Sequence, residues 1–148
     1  MIAIGSDHRG YKLKEEIKKY LTEIDLEYKD FGTNSEERVD SLPIVFNTCQ
    51  SIQKKECDRG ILICGTGLAM TITANKFKGI MCAPCYDVLS AERSKQHNNS
   101  NMLALGAELI DIDKAKNIVK IWIETEFLGG KYAERIQQIE ELEATNMK

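Results

Sequence analysis

The residues best suited to chemistry follow directly on a short apolar run. The stretch 60–65, GILICG, places Cys64 next to its end and continues into Thr66 and Gly67. Such a cysteine is either a small buried apolar residue or a thiol whose charged form a helix N-terminus stabilises. The Gly-Thr-Gly segment is either a plain tight turn or a loop whose free N–H groups bind an anion or oxyanion. The stretch thus predicts a candidate reactive thiol beside a candidate oxyanion site.

The two histidines, His8 and His97, both stand in polar segments rich in Asn, Asp and Gly. Each is either a solvated loop residue or a group that serves as acid, base or anion ligand near neutral pH. Four ligands at the spacing of a zinc finger are not found, so we expect no structural metal.

Cys82 and Cys85 form a C-x-x-C pair in the segment CAPC. Such a pair after a strand is typical of a thiol-redox site. A strand can equally place the two thiols on opposite faces of a sheet. We favour the second interpretation and keep a thiol-redox or catalytically silent protein as the non-enzyme alternative.

Five short apolar runs alternate with patterns of helical period. Leu13, Ile17 and Leu21 mark one face of the first helix, and Asp113 is a candidate cap of a later one. The predicted strands are 1–5, 28–32, 60–65, 79–86 and 101–106, and the predicted helices begin near residues 11, 43, 68, 87, 111 and 131. This alternation predicts an α/β fold in which helices cover both faces of a five-stranded parallel sheet.

In such a sheet the ligand lies outside the carboxyl ends of the strands. The polar segments SDHRG, CGTG and LGAE follow the first, third and fifth predicted strands. QHNNSN precedes the fifth strand, so the pattern alone does not place His97 in the site. The acidic C-terminal helix is expected to be a solvated face.

The totals of the sequence limit its class. The chain has 148 residues, with 43% hydrophobic and 29% charged residues and a net charge of −3. This length predicts a single domain, 1–148, and the charge argues against nucleic-acid binding. We find no apolar run long enough for a membrane span and no secretory signal. We therefore expect a cytoplasmic protein with its five cysteines reduced.

Several segments occur together in an order typical of one family. They are GSDHRGYKLKEEI, DFGTNSEERVD, DRGILICGTG, ANKFKGI, SKQHN, NMLALG and GGKYAERI. In this the chain resembles the type B ribose-5-phosphate isomerases, a family that includes the galactose-6-phosphate isomerase subunits. The resemblance implies a Rossmann-like three-layer sandwich and an aldose–ketose isomerase of a phosphorylated pentose that works through an enediolate. It also implies no metal or cofactor, and homodimers whose subunits share each site; a tetramer is left open.

The resemblance also implies roles for individual residues. Cys64 is the proton-transfer base, because Met70 stands where another branch of the family has a glutamate. Asp7 and His97 match the acid–base residues that open the sugar ring. The remaining matches are Thr66 with the backbone of Gly65, Gly67, Leu68 and Ala69 for the oxyanion, Asn98 for a sugar hydroxyl, and His8, Lys131 and Arg135 for the phosphate.

Four positions depart from the family pattern: Ser41, Ala69, Glu108 and Lys131. Ala69 adds a methyl group where glycine is usual, and Glu108 replaces an arginine. Lys131 keeps a positive charge but not the two-pronged geometry of arginine. These departures leave a hexose 6-phosphate of the allose or galactose type as the alternative substrate.

Overall fold

The computed structural model describes residues 1–147, and in them five strands alternate with six helices. The strands are β1 (Ile2–Ser6), β2 (Tyr28–Asp30), β3 (Arg59–Cys64), β4 (Cys82–Pro84) and β5 (Met102–Gly106). The helices are α1 (Tyr11–Glu23), α2 (Leu42–Gln53), α3 (Leu68–Ala74), α4 (Val88–Gln96), α5 (Ile112–Glu124) and α6 (Lys131–Asn146). All strand pairs are parallel, in the order β2-β1-β3-β5-β4. The predicted α/β fold with a five-stranded parallel sheet is confirmed.

The sheet is apolar on both faces because its side chains alternate between two cores. Ile61 and Ile63 of β3 pack against α1 and α5. Leu62 and Cys64 pack on the other face against α2 and α3, since each follows one of these isoleucines in the strand. The molecule therefore has three layers, and the side chain of Cys64 points to the α2/α3 side.

Three details predicted from the sequence are wrong, the first being the end of β2, which stops at Asp30 rather than at residue 32. The fourth strand covers only Cys82–Pro84, since β4 is an edge strand that pairs with β5 alone and Pro84 has no N–H to donate. The cap of α5 is Asp111 rather than Asp113, because its side chain accepts a hydrogen bond from the Lys114 N–H at 2.8 Å. Asp113 lies inside the first turn.

The two cysteines of the C-x-x-C pair lie in different cores. Cys82 is buried on the α2/α3 side of the sheet and Cys85 on the α1/α5 side. Two thiols that point apart cannot be bridged without moving the backbone. Burial also raises the pKa of Cys82 to about 12, which keeps the thiol protonated and unreactive at neutral pH. The geometry supports the structural interpretation of this motif.

Among residues 1–147, every helix is too short or too polar to cross a bilayer.

Candidate active site

The loops that follow β1, β3 and β5 meet at the carboxyl edge of the sheet. The Asp7 N–H donates to the Ile63 carbonyl at 3.1 Å. The N–H groups of Ala107 and Glu108 donate to the carbonyls of Cys64 and Gly65 at 2.8 and 2.9 Å. Three of the polar segments identified in the sequence therefore form one continuous rim.

The loop after β3 turns back on its own cysteine. Gly67 has φ of +81°, a conformation that favours glycine, and its N–H donates to the Cys64 sulfur at 3.1 Å. The hydroxyl of Thr66 accepts from the Leu68 N–H at 3.3 Å, at the start of α3. The sulfur of Cys64, a residue only 6% exposed, thus accepts one backbone hydrogen bond, from Gly67, that stabilises negative charge.

Met70 and Ala69, the two positions of α3 that differ from members of the family that the chain resembles, have distinct environments. Met70 is 1% exposed and packs in the α2/α3 core, so it contributes apolar packing only. Ala69 is exposed on the helix and is not among the residues with positive φ. Its methyl group therefore does not crowd the loop.

Asp7 and His8 lie in the loop after β1, and backbone N–H groups hold both side chains. Asp7 Oδ1 accepts from the N–H groups of Arg9 and Gly10 at 2.9 and 3.0 Å. His8 Nδ1 accepts from the Val39 N–H at 3.3 Å, which leaves the proton of a neutral ring on Nε2. An Nε2–H group is a suitable donor to a phosphate oxygen.

Glu108 lies against the same loop and is paired. Its Oε1 accepts from Arg9 NH1 at 2.8 Å, across the gap between the loops that follow β1 and β5. A side chain at Gly65 would come within about 3.1 Å of the Glu108 carboxylate. The negative charge of Glu108 therefore lies at the rim of the site, where the guanidinium of Arg9 pairs with it.

The other predicted site residues form a second group. His97, Asn98, Lys131 and Arg135 line a pocket of about 450 Å³ at the start of α6. The His97 ring stacks on Tyr132, with 4.2 Å between ring centroids and 11° between planes. The carboxylate of Glu134 also lines the pocket, but two cations, an imidazole and an amide leave it with a net positive charge that suits an anionic, hydroxylated ligand.

The two groups lie at opposite edges of the sheet. His97 ends α4, and the chain then enters β5 at Met102, its amino end. Gly106, at the other end of β5, pairs in register with Cys64. Four residue steps of a parallel strand span about 13 Å. Within one chain, the structure brings together Asp7, His8 and the Cys64 loop but not His97 or Arg135.

Sequence reasoning missed three residues of this arrangement. Tyr86 donates its hydroxyl to the Thr66 carbonyl at 2.9 Å, Tyr132 stacks on His97, and Arg9 pairs with Glu108. Tyr86 follows β4 at the same carboxyl edge as Cys64, so its position was an available signal. In the described part of the chain, no group of three or more His, Cys, Asp or Glu side chains is arranged to hold a metal ion.

Comparison with known proteins places this arrangement in a family. The model of the ribose/galactose isomerase family matches residues 2–139. Ribose-5-phosphate isomerase B of Escherichia coli is 41% identical, with 96% of this chain and 95% of that protein covered. D-erythrulose-4-phosphate isomerase of Pectobacterium atrosepticum is 37% identical, with 93% and 91% covered.

A solved structure shows the same relationship. Ribose-5-phosphate isomerase B of Clostridium thermocellum superposes with a TM-score of 0.95 at 44% identity, covering 97% of both chains. The resemblance to type B ribose-5-phosphate isomerases is thereby confirmed. The chain is an aldose–ketose isomerase and belongs to the ribose/galactose isomerase family.

Proposed function

We propose that the chain interconverts ribose 5-phosphate and ribulose 5-phosphate, with Cys64 as the proton-transfer base. The observation that carries this proposal is the contact between the Cys64 sulfur and the Gly67 N–H at the carboxyl edge of the sheet. Proton abstraction beside a carbonyl needs a base close to the carbon and donors for the oxygen that gains charge. The loop after β3 supplies both in consecutive residues.

The reaction moves one proton between two carbons and leaves the composition unchanged. The Cys64 thiolate removes the proton from C2 of the open-chain aldose, and the electron pair moves into the enediolate. The thiol then returns the proton to C1, and a proton passes between O1 and O2. Thr66 and the backbone N–H groups of Gly65 and Ala69 stabilise the developing oxyanion, and the Leu68 N–H joins them when it leaves the Thr66 hydroxyl.

We further propose that a second copy of the chain completes each site. His97 and Arg135 lie about a strand length from Cys64, at the opposite edge of the same sheet. One chain cannot place both groups on one pentose phosphate. The pocket at His97, the histidine pocket, of one copy therefore has to face residues 64–67, the thiol loop, of the other. His97 and Asp7 then open the ring, Asn98 binds a sugar hydroxyl, and His8, Lys131 and Arg135 bind the phosphate.

An exposed apolar face beside the thiol loop fits this second copy. Leu42 and Phe46 of α2 are 55% and 46% exposed, and Leu68 and Ile72 of α3 are 54% and 64% exposed. Both pairs have i, i+4 spacing and so lie on single helix faces. Because α3 begins directly after Gly67, a chain that covers this face also reaches the site. We expect Ile72→Glu to yield monomers without activity, as measured by sedimentation and assay.

The role of Cys64 is tested by Cys64→Ala, which should lower kcat about a thousandfold, in the usual range for loss of a general base. The matched control is Cys57→Ala, which removes a buried thiol that precedes β3 at the other end of the strand. Full activity in folded Cys64→Ala would show that another group is the base.

Sharing of sites is tested by mixing two inactive variants, Cys64→Ala and His97→Ala. If each site uses both chains, every mixed dimer contains one intact site, and random pairing restores about a quarter of the wild-type sites. The control pair is Cys64→Ala with Asp7→Ala, whose defects lie in the same half, so mixing should restore nothing. Equal recovery in both mixtures, or in neither, would contradict the shared site.

The length of the sugar is tested by comparing kcat/KM for ribose 5-phosphate, allose 6-phosphate, galactose 6-phosphate and erythrulose 4-phosphate. We expect the pentose to be preferred. The Pectobacterium relative, whose name records a four-carbon substrate, shows why the panel includes a shorter sugar. A clear preference for a hexose would support the alternative substrate and overturn the pentose.

A further inference from the structure

One peptide group links Tyr86 to the sulfur of Cys64. The Thr66 carbonyl accepts from the Tyr86 hydroxyl at 2.9 Å, and the Gly67 N–H donates to the Cys64 sulfur at 3.1 Å. This carbonyl and this N–H belong to the same planar trans peptide, so they point in opposite directions. Whatever fixes the carbonyl therefore also aims the N–H.

The other backbone hydrogen bonds of the loop hold the peptide groups on either side of this one. The Gly67 carbonyl, which follows it, accepts from the Thr71 N–H at 3.1 Å. The bonds from Ala107 and Glu108 hold the carbonyls of Cys64 and Gly65, which precede it. Rotation of the 66–67 peptide changes φ of Gly67, and glycine permits both signs of φ. A rotated peptide would turn the Thr66 carbonyl oxygen toward the sulfur and the N–H away from it, which would disfavour a thiolate.

We propose that Tyr86 is a positioning residue, which holds the Thr66–Gly67 peptide so that its N–H stabilises the thiolate of Cys64. This inference rests on the proposed function only in giving that thiolate a use as base. The phenol acts through the backbone and not on the sugar. Its effect should therefore fall on the proton-transfer step and much less on substrate affinity.

The titratable side chains buried near the Cys64 sulfur are uncharged at neutral pH. Burial, followed by the nearby thiols of Cys64 and Cys85, raises the pKa of Tyr86, so its hydroxyl remains a donor across the neutral range. Burial raises the pKa values of Cys49 and Cys82 to about 12, so they stay uncharged. The titratable or charged groups around the Cys64 loop are Tyr86 after β4, Asp7 and His8 after β1, Glu108 with Arg9 at the rim, and the thiols of Cys49 and Cys82.

The test is Tyr86→Phe, which removes one hydroxyl and keeps the ring. The readout is the pH dependence of Cys64 alkylation by iodoacetamide, followed on the Cys64 peptide by mass spectrometry. We expect the midpoint to rise by about one pH unit, the size of one hydrogen bond to a charged group. We also expect kcat at neutral pH to fall about tenfold while KM changes less than about twofold.

Tyr20→Phe is the matched control, because Tyr20 lies on α1 away from the Cys64 loop. It should leave both the alkylation midpoint and kcat unchanged. An unchanged midpoint in Tyr86→Phe that folds normally by circular dichroism, or an equal rise in Tyr20→Phe, would overturn the inference. Activity in Cys64→Ala would instead refute the role of Cys64 as base, and the alkylation midpoint would still test Tyr86.

Discussion

Replacing Lys14 with methionine should destabilise the fold by about 3 kcal/mol, at the lower end of the cost of breaking a buried ion pair. Lys14 is fully buried, and its ammonium donates to both oxygens of Asp30 and to the Thr33 carbonyl, each at 2.7 Å. Methionine fills the volume but leaves that carbonyl without its donor. The lower end applies because Asp30 keeps Lys18 at 2.9 Å and the Gly32 N–H at 2.8 Å.

The reciprocal change, Asp30→Asn, should cost more. It leaves the ammonium of Lys14 in the interior, where its other carboxylate, that of Glu15, is 3.7 Å away. The double variant should be less destabilised than the sum of the two singles, since neither charge is then left alone.

The assay is urea unfolding of each variant at one chain concentration, because association of chains would add to the measured free energy. Lys19→Met is the control: it is on the same helix and forms an exposed pair with Glu16 at 3.3 Å. We expect it to cost less than about 0.5 kcal/mol. A loss below about 1 kcal/mol in Lys14→Met would refute the reasoning, since a solvated surface pair behaves in that way.

Three further results are expected. Burial alone would raise the pKa of Asp30, but hydrogen bonds from neighbouring lysines and the Gly32 N–H outweigh burial and lower the pKa below 3.8. The contribution of Asp30 to stability is therefore complete above pH 3.8 and is lost as the pH falls through the lowered pKa. Acid unfolding of wild type and Asp30→Asn measures this loss. Gly10→Ala should fold poorly, because the added carbon would overlap the Ile63 carbonyl oxygen, a backbone atom that cannot move aside; thermal unfolding measures the loss. Arg9→Met should raise KM several-fold, because it leaves the charge of Glu108 uncompensated beside an anionic substrate. The double variant Arg9→Met with Glu108→Gln should restore the wild-type KM. A KM that stays high in the double variant would contradict an electrostatic cause.

The central elements could be predicted from the sequence because their signals are physical. The unbroken apolar run Ile61 to Ile63 indicates a strand that is buried on both faces of the sheet. The spacing of Leu13, Ile17 and Leu21 fits one face of a helix. The extent of β4 could not be predicted. Apolar residues continue on both sides of Cys82–Pro84, but hydrogen bonding to a single neighbour decides where an edge strand ends.

Only those site residues that follow parallel strands could be placed from the sequence. Asp7 and Cys64 follow strands, so the rule that ligands bind at the carboxyl edge places them together. Tyr86 follows a strand too, but its contact with the Thr66 carbonyl depends on a backbone orientation that no residue pattern encodes. His97 precedes β5 in the sequence, so its placement at the opposite edge from Cys64 follows once β5 and β3 are known to be parallel.

The order of the strands also determines when the chain can fold during synthesis. The only partner of β4 in the described sheet is β5, which is made after it. The N–H groups that hold the carbonyls of Cys64 and Gly65 come from residues 107 and 108, later still. A nascent chain that ends before Met102 therefore has β4 unpaired, with Cys82 and Cys85 outside their cores. The thiol loop takes its final shape only when β5 inserts between β3 and β4, so ribosome-bound chains should lose their reactivity toward alkylating agents at Cys82 and Cys85 at that length.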